Sequence, residues 1–189
     1  MTRIIVRRAA ALFAALLAVA LLAGCYPRYD WRDTRPDCAR GFCDFVASFP
    51  GKITSVRREV PVGATRLPLS LHVISVGDVT FAVGAFNLQS GGDVAEARAT
   101  FERKLLDDVG ATAGRRGHVT IHTADRTDIA ADTFDAEGSR GGQALRVTAR
   151  FAERRGHLVE VLVIGPVAVL ANASGHQAID TFMTSLRLD

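Results

Sequence analysis

His118 and His122 stand four residues apart, and Asp125, Asp128, Asp132, Asp135 and Glu137 follow them at spacings of two to four. Side chains of these types offer two chemistries, metal ligation and acid or base work by a carboxylate pair. The alternation of Val119 and Ile121 with the histidines predicts a strand, and at about 3.3 Å per residue the two imidazoles originate roughly 13 Å apart. One ion held at about 2.0 Å by each nitrogen cannot bridge that distance. The acidic run lacks the D-x-D-x-D-G pattern of a calcium loop. Carboxylates serve as acid or base where a pocket shifts their protonation, and the local sequence predicts a solvated strand face instead. His72 and His157 occupy alternating polar positions, and His176 lies near a helix start, so surface placement is expected for each. Ser70, Ser75 and Ser174 have no G-x-S-x-G elbow or base at motif spacing. Ser90-Gly91-Gly92-Asp93 matches neither a dinucleotide fingerprint nor a P-loop and reads as a loop and helix cap. No catalytic residue, cofactor site or metal site is expected.

The cysteines carry more. A run of apolar residues from Ala9 to Leu22 follows Arg3, Arg7 and Arg8, the build of a secretory signal. It is shorter than the about 20 residues a membrane-crossing helix requires. Its end, Leu22-Ala23-Gly24-Cys25, resembles the lipobox of bacterial lipoproteins. That resemblance implies cleavage before Cys25, a diacylglyceryl thioether on its sulfur and acylation of the freed amine, an anchor of several chains that holds firmly. Tyr26 in the next position implies, in the same families, sorting to the outer membrane with the domain facing the periplasm. Loss of Arg3, Arg7 and Arg8 takes the 23 Lys and Arg down to 20, level with the 20 Asp and Glu. The processed chain is neutral, and its arginine pairs (57–58, 115–116, 154–155) are scattered, which removes the warrant for nucleic-acid binding. In an exported chain, Cys38 and Cys43 are expected to form a disulfide across Gly41. The spacing is not C-x-x-C, so a structural staple is expected rather than a redox pair.

The remainder of the chain must position these residues. Residues 25–43, with two prolines and many charges, predict a lipidated tether ending in the disulfide; Trp31 either rests at the lipid interface or packs on the domain. Residues 44–189 form one domain. Phe45, Ala47 and Phe49 share a strand face, Pro50-Gly51 ends it, and Ile53 to Val60 is expected as its hairpin partner. Leu67 to Val73 alternates with Pro68, Ser70 and His72, Pro68 placing the start of that strand at an edge. Gly77-Asp78 turns the chain into an apolar central strand, Val79 to Leu88. Val94, Ala97, Phe101, Leu105 and Val109 then fall at helical spacing between an Asp93 cap and a Gly110 stop. Strands resume at about 118–124, 129–136, 144–152 and 158–164, with a hairpin tip at 138–142. A last helix near Asn172 buries Ile179, Phe182, Met183 and Leu186. The order predicts α+β: a largely antiparallel sheet with two main helices packed against it.

The Phe45 to Lys52 stretch F-x-x-x-F-P-G-K, the paired strands, the central helix and the close from Ala178 to Leu188 resemble small bacterial exported proteins with a PsbP/Mog1-like domain. That resemblance implies a noncatalytic subunit or adaptor. The expected function is a membrane-tethered binding or accessory module of the envelope acting on a protein partner. A small-ligand carrier with a cleft between sheet and helix is the alternative, and an enzyme with a site assembled from distant residues a third. Replacing Cys25 by serine is expected to abolish palmitate labelling and release the protein from membranes; unchanged labelling excludes the anchor.

Overall fold

Alternating apolar residues require a sheet with a buried face, and a nearly continuous apolar strand requires cover on both faces. The computed structural model, which describes residues 29–89 and 91–189, meets both demands. The expected signal segment, Cys25 and Tyr26 lie outside the described residues. The strands are β1 (Arg32–Thr34), β2 (Phe45–Phe49), β3 (Thr54–Val62), β4 (Thr65–Val76), β5 (Val79–Asn87), β6 (Arg115–His122), β7 (Asp128–Arg140), β8 (Gln143–Arg154), β9 (His157–Pro166) and β10 (Arg187–Leu188). The helices are α1 (Val94–Val109), the single turn α2 (Val167–Leu170) and α3 (Ala173–Ser185), with a 3-10 turn at Cys38–Arg40. Seven strands form one sheet in the order β3-β4-β5-β9-β8-β7-β6, and β1-β2-β10 form a second. All of these strand pairs are antiparallel, so the architecture is α+β.

Helix α1 covers one face of the large sheet. Its start is fixed by the Asp93 side chain, which accepts from the Glu96 N–H at 2.8 Å, and its end by Gly110 in the left-handed region. A Cβ on Gly110 would stand 2.3 Å from the Ser139 carbonyl oxygen, so no other residue fits where the helix end meets β7. Ala97, Phe101, Leu105 and Val109 point down onto Phe86, Ala149, Phe151 and Phe134 of the sheet. Phe101 sits between Phe86 and Phe151, with ring centroids 4.5 and 6.0 Å away.

The second face is covered by the small sheet and α3. Phe182 of α3, wholly buried, meets Phe49 of β2 at 5.1 Å and Phe81 of β5 at 5.4 Å. Asn172 caps α3 by accepting from the Gly175 N–H at 2.8 Å. Ile179, expected on its buried stripe, is only half-buried, whereas Gly175 and Ala178 face inward.

Three expectations are corrected. Ile53 to Val60 does not pair with Phe45–Phe49: both edges of β2 are taken, by β1 through Arg32↔Phe49 and by β10 through Arg187↔Val46. Pro50 and Gly51, the latter at φ 148°, instead carry the chain to the edge of the large sheet, where β3 pairs with β4. Residues 31–43, expected in the tether, belong to the compact unit Trp31–Asp189: β1 pairs with β2, and Trp31 meets the Phe81 ring edge-on at 5.8 Å. His72 is not at the surface but 1% exposed, because the polar side of β4 faces the small sheet rather than water. Pro68 falls where β4 pairs with β3 alone, since the ladder to β5 begins at Leu69, so no bond to β5 is required of it.

Phe182→Ala is expected to cost about 3–5 kcal/mol of unfolding free energy, the range for truncating a buried aromatic. Denaturant unfolding measures it; a loss under about 1 kcal/mol would show that the two layers do not depend on this contact.

Candidate functional site

Strand β9, in the middle of the sheet, reads His-Leu-Val-Glu-Val-Leu-Val-Ile-Gly-Pro, one acid in a stretch that is otherwise apolar after His157. That acid, Glu160, shares the α1 face with Leu158 and Leu162 and is 2% exposed. Its cross-strand neighbours are Gly84 on β5 and Phe151 on β8. Gly84 supplies the room: a Cβ there would lie 3.5 Å from Glu160 Oε2, 3.5 Å from Phe101 Cζ and 3.6 Å from Leu71 Cδ1. The space left open is a cleft of about 180 Å3 between α1 and the sheet. Val60, Leu69, Leu71, Phe86, Phe101, Leu105 and Leu162 make its walls apolar, and Arg58, Thr100, Lys104 and Asp108 complete its lining. Lys104 and Asp108 pair with one another along α1.

Glu160 Oε1 has no hydrogen-bond partner among the described residues. A buried carboxylate without a partner is costly, so the group takes up a proton instead. Burial, with a smaller contribution from the Asp108 charge, pushes its pKa from 4.5 up to about 8. The cleft therefore holds a neutral carboxylic acid, able to donate one hydrogen bond and accept others.

The other buried ionisable groups have their needs met. Glu102 on α1 is 5% exposed but receives Arg98 Nε at 3.1 Å and Arg116 Nε at 3.1 Å. Burial pushes its carboxyl up, and the hydrogen bonds and charges of Arg116 and Arg98 overcome that and hold it below the ordinary value. The His72 Nε2–H donates to the Phe42 carbonyl at 2.8 Å and Nδ1 accepts from the Ser55 hydroxyl at 2.9 Å. Burial pushes the pKa of this imidazole down, keeping it neutral despite the opposing pull of the Phe42 carbonyl.

The residues singled out in the sequence are dispersed by the fold. His118 pairs with Asp132 and His122 with Asp128, each at 2.6 Å, and both histidines are largely exposed on the edge strand β6. Asp125 braces the turn 123–127, and its carboxyl is held down to about 2 by the Thr123 hydroxyl first and by Thr127 next. Asp132 also meets Arg98, Asp135 accepts from Thr148, and Glu137 pairs with Arg146. Among the described residues no three His, Cys, Asp or Glu side chains gather as metal ligands. His157 is half-buried against the Phe42 ring, and His176 is exposed. A disulfide joins Cys38 and Cys43, with Cα atoms 5.0 Å apart. It holds the turn that presents Phe42 to His72 and Ser70, the Phe42 N–H donating to Ser70 Oγ at 3.0 Å. Sequence reasoning passes over Glu160, although a lone acid between Leu158 and Leu162 in an apolar strand is a usable signal.

No family model and no curated protein sequence matches this chain. Among solved structures, the chain is similar to PA94, a Pseudomonas aeruginosa protein of unknown function described as a candidate regulator. The TM-score is 0.38 and the identity 18%, over 70% of this chain and 96% of that one.

Between pH 4.5 and about 8 the folded chain retains the Glu160 proton that the unfolded chain releases, so this group's contribution to stability declines as pH rises through that window and levels off above it. Relative to Glu160→Gln, the wild type is expected to lose thermal stability from about pH 5 to about pH 8, with His72 common to both. Parallel Tm profiles would show that the carboxyl is not held neutral.

Proposed function

We propose that this chain is an acylated envelope protein with a PsbP/Mog1-like domain, and that the domain acts by binding rather than by catalysis. Support for the address comes from the lipobox-like Leu22-Ala23-Gly24-Cys25 and from the Cys38–Cys43 bridge, a bond that persists in oxidising compartments. Anchoring through Cys25 raises the domain's local concentration beside the outer membrane. The antiparallel sheet with α1 and α3 against it supports the PsbP/Mog1-like reading.

The observation that carries the binding reading is the cleft with Glu160 at its floor. An acid and base pair would need a second free group beside the carboxyl, and the other acid of the lining, Asp108, is paired with Lys104 along α1. Concave apolar space with a few polar groups is what small ligands occupy. A protein partner, the first expectation, fits the surface less well. Val56 is the exposed large hydrophobic residue among those described, at 43%. The edge strands are guarded by Arg57, Arg58, Glu59 and Pro61 on β3 and by Arg115, Arg116 and His118 on β6, which resist strand addition. The domain is therefore assigned as a tethered small-ligand binder.

Native mass spectrometry of the full chain purified from membranes in mild detergent is expected to show a small molecule that leaves on denaturation and is absent from Gly84→Val, which fills the cleft. Circular dichroism confirms that the variant folds. A mass equal to the acylated chain alone, together with an envelope protein recovered by crosslinking, would return the assignment to the protein partner.

A further inference from the structure

Three features of the cleft restrict what it can hold. Its volume, about 180 Å3, is close to that of an engineered apolar cavity of about 150 Å3 that takes up benzene, so the occupant is the size of one ring. Its floor has a single polar group, the carboxyl of Glu160, a residue only 2% exposed, whose Oε1 meets no donor or acceptor among the described residues. Its remaining charged groups are Arg58 from β3 and Lys104 and Asp108 from α1, a set with one excess positive charge that disfavours a cationic ligand. The other elements against Glu160 present Leu71, Gly84 and Phe151, which carry no charge.

We infer that the cleft receives an uncharged apolar molecule of about one ring's size, oriented by a carbonyl- or ether-type oxygen that accepts a hydrogen bond from the Glu160 carboxyl. This rests on the binding reading above and specifies its ligand class. The polar floor then acts as a selector. A hydrocarbon of the same shape leaves the carboxyl unpartnered, and a molecule with an acceptor relieves it. Unmatched buried polar groups discriminate between otherwise similar ligands more sharply than apolar contact does. The neutral state is maintained up to about pH 8 by burial and by Asp108, so selection for an acceptor should weaken in more alkaline solution.

Titration of the full chain with acetophenone, ethylbenzene and 1-phenylethylamine, followed by ligand-observed NMR at about pH 6 and about pH 9.5, tests this. Acetophenone is expected to bind about tenfold more tightly than ethylbenzene at the lower pH, with most of that preference lost at the higher. Glu160→Gln retains a donor that does not ionise, so its preference should persist at both pH values; Glu160→Leu should show none. Equal affinity for acetophenone and ethylbenzene at the lower pH overturns the inference and leaves small-ligand binding standing, as does tighter binding of the amine. Binding of none of the three, or equal binding by Gly84→Val, removes the cleft as a ligand site and with it the small-ligand reading.

Discussion

The central strands of the large sheet, β5 and β9, are sealed on both faces, and this constraint governs the rest of the molecule. Strands β5 and β9 lie between α1 on one side and the small sheet with α3 on the other, so neither has a solvated face to which polar side chains could be sent. Any ionisable group in these layers must be paired or neutral. Glu102, His72 and Glu160 show three outcomes.

Glu102 keeps its charge because Arg98 and Arg116 reach it from partly solvated positions. His72 loses its charge but satisfies both ring nitrogens, with a hydroxyl on β3 and a carbonyl in the disulfide-held turn. Glu160 has neither answer. It stands where β9 is flanked by a glycine and a phenylalanine and roofed by Phe101, so no basic or hydroxyl side chain of the layer above reaches its Oε1. An unpartnered acid at this strand position adds nothing to stability that a leucine would not, and the ligand proposed above would give its carboxyl a partner.

Much of the fold was legible from local pattern. The extent of α1 followed from Asp93, Gly110 and the spacing of Ala97, Phe101 and Leu105, all of which act within a turn or two of the backbone. The strands of the second half followed from alternation and from turns such as Gly141-Gly142. The pairing of β2 did not. Its neighbours come from Arg32–Thr34 and Arg187–Leu188, short segments at opposite ends of the described chain that carry almost no periodicity of their own. The same distance hid the site: Gly84, Phe101 and Glu160 each belong to a different element, and only their convergence forms a cleft.

The amino-acid sequence by itself determined the kinds of element, their order and the α+β class, because hydrophobic period, capping and turn formation depend on residues within a few positions of one another. Only the tertiary structure decided which strand edges meet, that the polar side of β4 is covered, and that an acid in β9 faces the cleft beneath α1. Burial and pairing are properties of layers assembled from distant segments, and a residue's ionisation follows from the layer it ends in rather than from its neighbours in the chain.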